Sequence, residues 1–442
     1  MINVLLFPSG SLVAHEIFQS LRYEKKIELF GLDSLSSNWS SYTLSSSNFS
    51  SSIVTYSENT KQQFISELKG WIKNWNITCI YPCFDKFIRI LKELESELET
   101  IVIAPSVKVC SIAESKRKTY NILRNIIKVP CEYSYENNIK YPIFIKPDYG
   151  YGSRNSFACY NQTELDSIKF KYNDLESFVI CEYLPGKEYT VDCFTNYKNE
   201  LIYVNVRERC KTLQGISIHT KCIIDKQIKS ECNEMAKSIQ KTIDMKGGWF
   251  FQVKYSSNKE LCLLEIAPRI PGAMCLSRNL GINFPMLTLQ TYLDLTNKNV
   301  NIISSNEELE VYKIFKNVFY PLLKYSTVYI DLDDTIIMNN VKNIKYVNLE
   351  VIKFLYQCVN NRVNIILLTR NKNPLELLLN YSISPKLFLE IVIVSNDEKK
   401  SKYIKNLDSI FIDDSFKERL DVYNTKEILV FGIDQIERLI ES

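Results

Sequence analysis

Histidine is almost missing from this 442-residue sequence: His15 and His219 are the only two, which leaves little from which to build a zinc site. No CxxC pair occurs among the 13 cysteines, which are scattered and odd in number. That pattern reads as reduced thiols in a cytoplasmic protein, not as a disulfide framework. No apolar stretch approaches the roughly 20 residues of a membrane helix. The apolar start, Met1 to Phe7, lacks the basic residues and long apolar core of a signal peptide and reads as a buried strand. Neither sign of charge is in excess, with 54 basic against 51 acidic side chains and a net charge of +3. Nucleic acid and membrane are therefore not indicated as partners.

What is present is length enough for about three domains, with 45% hydrophobic residues to fill their cores. Ile2–Phe7 is a continuous apolar run ending in Pro8-Ser9-Gly10-Ser11, followed by the helical pattern Leu12, Ile17, Leu21. Strand, tight loop and helix open a doubly wound α/β unit. Further strands are expected at Ile27–Leu32, Thr78–Tyr81 and Ile101–Ala104, with a helix over Lys86–Leu98. Residues 1–110 thus read as a Rossmann-like domain. Residues 111–300 mix short strand-like runs with helical segments, which points to α+β layers. The chain turns polar and patternless over 301–325, a linker. Four strand-like runs from Val328 onward, alternating with helical segments, predict a small α/β domain over 326–442. The fold class is a multidomain mixture of α/β and α+β.

Several segments carry chemistry. Lys146 ends an apolar strand and leads into Pro147-Asp-Tyr-Gly150-Tyr-Gly152-Ser153-Arg154. Such a glycine-bearing loop can wrap phosphates and aim N–H groups at them, although a plain hairpin turn also explains two glycines. Downstream, Glu182-Tyr183-Leu184 ends a strand, and a second strand begins with Glu188. Gln252 is a lone amide in an apolar strand, and Glu265 stands in another, four residues before Arg269. A glutamate on an apolar strand needs a cation, either magnesium or Arg269 itself.

As an ordered set these motifs resemble the ATP-grasp superfamily, especially its carbamoyl-phosphate-synthetase and biotin-carboxylase branch and the related amino-acid ligases, over about residues 1–300. The resemblance implies ATP and Mg2+ as cofactors. It implies Lys116 and Lys146 on the phosphates beneath a lid that includes Gly150, Gly152 and Ser153. Glu182, Tyr183 and Leu184 become the hinge at the adenine, and Glu188 the ribose contact. His219 resembles a phosphate-proximal histidine, with a core histidine as the other reading. Gln252 and Glu265 match metal-ligand positions, and Arg269 the arginine that steadies the transferred phosphate. Ala267 departs from the pattern, standing where many members have an asparagine ligand.

Near the C-terminus, Asp331-Leu-Asp333-Asp-Thr335 puts two carboxylates at a strand end; Thr369 and the Asp413-Asp414 pair end two more. These motifs resemble the haloacid dehalogenase superfamily over about residues 326–442. The match implies Asp331 as nucleophile, Asp333 as general acid and base, and Thr369 on the phosphate. Asp331, Asp333 and Asp413 or Asp414 would hold magnesium, and the partner lysine is Lys400 or Lys402, with spacing favouring Lys400. Only 33 residues lie between Thr335 and Thr369, too few for a cap domain.

The resulting expectation is a ligase joining a small-molecule carboxylate to an amine through an acyl phosphate, coupled to a phosphatase acting on a phosphoester of the same pathway. The rivals are a phosphatase whose ATP-grasp part only senses nucleotide, a non-catalytic scaffold suggested by Ala267, and a bicarbonate-using carboxylase. Oligomeric state stays open, a homo-oligomer included.

Overall fold

A computed structural model describes the chain except residues 35–38, 41–57, 136–138, 151, 153, 174, 214, 296–307, 314–322, 340–343 and 441–442. Two compact units are present, Met1–Ile314 and Phe315–Ser442. Among the described residues no helix is long and apolar enough to cross a membrane.

The first unit opens with β1 (Ile2–Phe7), β2 (Ile27–Gly31), β3 (Cys79–Pro82) and β4 (Ile101–Val102), paired in parallel in the order β2-β1-β3-β4. Val4, Leu5, Leu6, Cys79 and Ile80 are fully buried because helices cover both faces of the sheet. The expected helix over Lys86–Leu98 is two helices, Asp85–Glu93 and Glu95–Leu98.

Two antiparallel layers follow. β5 (Ile143–Pro147), β6 (Phe157–Cys159) and β7 (Phe178–Glu182) form a three-stranded sheet with β5 central. β8 (Glu188–Thr195), β9 (Leu201–Leu213), β10 (Ile216–Cys222), β11 (Gly247–Tyr255), β12 (Leu261–Ala267) and β13 (Glu310–Tyr312) form a six-stranded sheet in the order β12-β11-β8-β9-β10-β13. One face of this sheet is apolar: Tyr189, Val191, Val206, Trp249, Phe251 and Leu263 pack on the helix Lys226–Ile243. The other face alternates in Glu188, Thr190 and Asp192 with Arg207 and Arg209 opposite. β9 therefore runs well past the apolar stretch that marks its start. Its polar half is paid for in strand pairing and in buried ion pairs, neither of which shows as hydrophobicity. β13 lies inside the stretch 301–325 expected to be a linker and is the edge strand beside β10. Short, half-exposed and carrying a glutamate, it has the character of an edge and no apolar signature.

The second unit holds β14 (Thr327–Ile330), β15 (Ile337–Asn339), β16 (Lys345–Val347), β17 (Asn364–Thr369), β18 (Glu390–Ile393), β19 (Ser409–Ile412) and β20 (Leu429–Phe431). Five of them make a parallel sheet in the order β18-β17-β14-β19-β20, and β15 pairs with β16 as a hairpin. The hairpin occupies the interval in which no cap domain was expected.

Candidate functional site

A cleft of about 840 Å3, part of it open to solvent, lies against both antiparallel layers of the first unit. Strand β5 delivers Lys146 to it, and the loop after β5 delivers Gly150 and Gly152. Lys116 enters from the helix Lys116–Leu123. Glu182, Tyr183 and Leu184 line it where the chain leaves β7. From the six-stranded sheet come Glu188, Gln252 and Glu265. Residues far apart in sequence meet here because β11 and β12 set Gln252 directly opposite Glu265, so both side chains share one face. Ser153 falls outside the described residues.

The two lysines are held differently. Lys116 Nζ donates to the carbonyls of Asp148 (3.3 Å) and Gly150 (3.1 Å), and burial pulls its pKa below the ordinary lysine value. Asp148 pins the same helix start by accepting from the Ser115 hydroxyl (3.0 Å) and the Arg117 N–H (2.8 Å). Lys146 Nζ donates to the Tyr120 hydroxyl (2.7 Å) and the Leu264 carbonyl (3.1 Å). Glu182 accepts from the Cys131 N–H (3.0 Å), bracing the hinge.

Three expected residues have partners that the motifs did not show. Glu188 lines the cleft, but its carboxylate is 2.7 Å from Arg209 Nε. Arg269 is not on the cleft wall; its guanidinium makes a two-pronged ion pair with Asp85 (2.6 and 2.8 Å) and sits over the Phe250 ring. Burial lowers its pKa but Asp85 more than offsets that, leaving it raised. The alternative Glu265–Arg269 ion pair is not formed. His219 faces Glu310 (3.4 Å) and the Tyr312 ring, away from the cleft lining. The polar groups of the Pro8–Ser11 loop are paired internally. The Gly10 N–H donates to Asp33 (2.7 Å), the Ser9 hydroxyl accepts from Ser40 (2.7 Å), and the Ser11 hydroxyl donates to the Cys83 carbonyl (2.9 Å).

Magnesium fits the Gln252–Glu265 pair. Their two oxygen-bearing side chains are cross-strand neighbours, and neither makes a hydrogen bond among the described residues. Ala267, paired with Phe250, adds no ligand atom.

In the second unit β14 lies between β17 and β19, so the ends of three adjacent parallel strands converge. Asp331, Thr369 and Asp413 follow or end these strands, all buried. Lys400 Nζ donates to Asp331 (2.5 Å) and Asp413 (2.7 Å), whereas Lys402 pairs with Glu398. Burial pushes the Asp331 carboxyl up to about 7, with Lys400 opposing and Asp413 adding to the rise. Burial also raises Asp413 and Asp414. Lys400 ends above the ordinary lysine value, because the two carboxylates outweigh its own burial. Asp331, Asp413 and Asp414 can each offer one oxygen within 4.8 Å of the others. Three crowded acids against one lysine leave negative charge that a divalent cation fits.

Asp333 is less buried and accepts from the Asn371 amide (2.9 and 3.2 Å), with Lys345 of the hairpin 3.7 Å away. Arg419 donates to the carbonyls of Asp413 (2.5 Å) and Asp414 (2.7 Å). Motif reading missed Tyr120, Asp148, Arg209, Asn371 and Arg419. Two carried a signal: Tyr120 lies one helical turn beyond Lys116, and Asn371 two residues beyond Thr369.

Residues 174–316 match the model of a family described as "ATP-grasp in the biosynthetic pathway with Ter operon". No curated protein matches the sequence. Among solved structures, biotin carboxylase from Campylobacter jejuni in its beta-gamma-ATP complex is similar at a TM-score of 0.56 and 14% identity, over 66% of this chain and 70% of that one. N5-carboxyaminoimidazole ribonucleotide synthetase from Thermotoga maritima gives 0.52 and 15%, over 69% and 79%. L-amino acid ligase from Bacillus licheniformis gives 0.52 and 14%, over 66% and 74%. Residues 174–316 thus match an ATP-grasp family model, and about two thirds of the chain shares its fold with these three enzymes.

Proposed function

We propose that the first unit binds Mg-ATP in its cleft and joins a small-molecule carboxylate to an amine. The observation that carries this reading is the facing of Lys116 and Lys146 by Gln252 and Glu265 around one cleft. In the reaction a substrate carboxylate oxygen attacks the γ-phosphorus of ATP and ADP leaves. The amine nitrogen then attacks the acyl carbon, phosphate leaves, and the nitrogen gives up a proton. Magnesium, when bound through Gln252 and Glu265, neutralises phosphate charge. Lys116 and Lys146 bind and orient the phosphates, and Glu182 to Leu184 set the depth of the base. Arg269 would act on the transferred phosphate by exchanging Asp85 for it. His219 receives no role in this reading. The L-amino acid ligase neighbour supports the amide-forming class.

Domain limits of 1–110 for a Rossmann-like domain and 111–300 for the ATP-grasp domain belong to the same reading. So does a haloacid-dehalogenase-like phosphohydrolase over 326–442. There Asp331 attacks a phosphoester phosphorus, and Asp333 protonates the leaving oxygen and later deprotonates water. Thr369 and Lys400 hold the phosphoryl oxygens. The Asp331–Lys400–Asp413 cluster supports this assignment.

ADP release against a panel of carboxylates and amines tests the ligase, with Lys146→Ala as the blank. A substrate-dependent signal absent from the blank is expected; equal release from both proteins overturns the reading. Asp331→Asn tests the second unit, with loss of Mg-dependent p-nitrophenyl phosphate hydrolysis expected. For coupling, the same variant should make a phosphorylated ligation product accumulate; an unchanged product would refute it.

A further inference from the structure

Two hydrogen-bonding groups hold Lys146 from behind, and one of them is a residue that never reaches the cleft. Tyr120 is fully buried on the helix Lys116–Leu123 and is not part of the cleft lining. Its hydroxyl donates to the Leu264 carbonyl (2.8 Å), next to Glu265 in β12, and accepts from Lys146 Nζ (2.7 Å). Lys146 also donates to that same carbonyl at 3.1 Å, so the phenol, the ammonium and the carbonyl close a triangle.

A lysine ammonium has three N–H donors. Two are spent inside the triangle, which leaves one for a ligand in the cleft. A four-carbon side chain is otherwise rich in rotamers, and fixing its head in advance lowers the cost of binding through it. The triangle also ties three elements together: the helix that carries Lys116, the strand that carries Lys146, and the strand that carries Glu265. Lys116 and Tyr120 are one helical turn apart, so a single helix delivers one lysine to the cleft and anchors the other. Burial holds the Tyr120 phenol well above its ordinary pKa, so it stays neutral beside the ammonium.

We propose that Tyr120 is a positioning residue for nucleotide binding, orienting the Lys146 ammonium and holding it in register with the Glu265 strand. The proposal rests on the reading of the cleft as an Mg-ATP site. It predicts that losing one hydroxyl, remote from any ligand contact, weakens nucleotide binding through Lys146 alone.

The test is calorimetric titration of Mg-ATP into the full chain and into Tyr120→Phe, Lys146→Ala and the double variant. Phenylalanine keeps the ring and its packing. Tyr120→Phe is expected to bind Mg-ATP about ten-fold more weakly, the size of effect of losing a hydrogen bond to a charged group. Its thermal midpoint should move by no more than a few degrees. In the double variant the two effects should not multiply: affinity should equal that of Lys146→Ala. Native affinity in Tyr120→Phe, or multiplying effects in the double variant, overturns the proposal and leaves the cleft reading standing, provided Lys146→Ala itself binds more weakly. No Mg-ATP binding by the native chain, or full native binding by Lys146→Ala, overturns both.

Discussion

Replacing Arg207 by methionine should destabilise the first unit by about 3–5 kcal/mol, because it strands a carboxylate inside the six-stranded sheet. Asp192 is completely buried and Arg207 is 2% exposed; the guanidinium meets the carboxylate through Nε (2.8 Å) and Nη2 (3.2 Å). No solvent can replace the lost partner. Burial already raises the Asp192 pKa above the ordinary aspartate value, against the pull of Arg207. Removing Arg207 removes that opposing pull, so the carboxyl should rise further. An acid whose folded pKa exceeds its unfolded one binds more protons when folded, so stability falls as pH rises between the two values. The deficit of Arg207→Met against the native chain should therefore be largest near neutrality and shrink toward the ordinary aspartate range.

Urea unfolding followed by tryptophan fluorescence reads this directly. All four tryptophans, Trp39, Trp71, Trp75 and Trp249, belong to the first unit, so the second unit is silent. A midpoint lower by about 1–2 M urea is expected near pH 7.5. Pairing the change with Asp192→Leu removes the stranded charge and should restore most of the loss. A deficit below about 1 kcal/mol for Arg207→Met, or one that grows on acidification, would refute the argument.

Glu265→Gln should cut substrate-dependent ADP release by about a hundred-fold or more, since it removes the one formal negative charge of the proposed metal pair; kinetics at saturating magnesium would measure this. Gly215→Ala should weaken Mg-ATP binding. Gly215 sits at φ +75°, and a Cβ there would lie 2.5 Å from the backbone of Gly152 in the lid loop; calorimetry showing native affinity would count against that contact. Lys400→Met should abolish phosphoester hydrolysis and lower the thermal midpoint of the second unit, because Asp331 and Asp413 lose their shared cation. Circular dichroism melts and p-nitrophenyl phosphate turnover would report the two effects separately.

Much of the fold was legible because buried strands announce themselves. Ile2–Phe7, Phe178–Cys181 and Ser409–Ile412 are short apolar runs bounded by turn or polar residues, and the structure has strands there, the second reaching Glu182. β13 and the far half of β9 were illegible for the opposite reason: an edge strand and a charge-paired strand carry no apolar signature. The cleft residues were found through the order of their motifs. Their partners were not, since Asp85 lies 184 positions from Arg269 and Tyr120 lies 144 from Leu264.

The sequence by itself determined which residue types stand at or near strand ends: lysine in β5, glutamate in β12, aspartate after β14 and β19. Local apolar patterning and turn chemistry act over a few residues, so they survive in a linear reading. Only the tertiary structure decided what each charge meets. Arg269 is taken by Asp85, Glu188 by Arg209, and Lys400 rather than Lys402 reaches Asp331 and Asp413. Electrostatic pairing depends on distance through space, and sheet order sets that distance for residues that no sequence spacing relates.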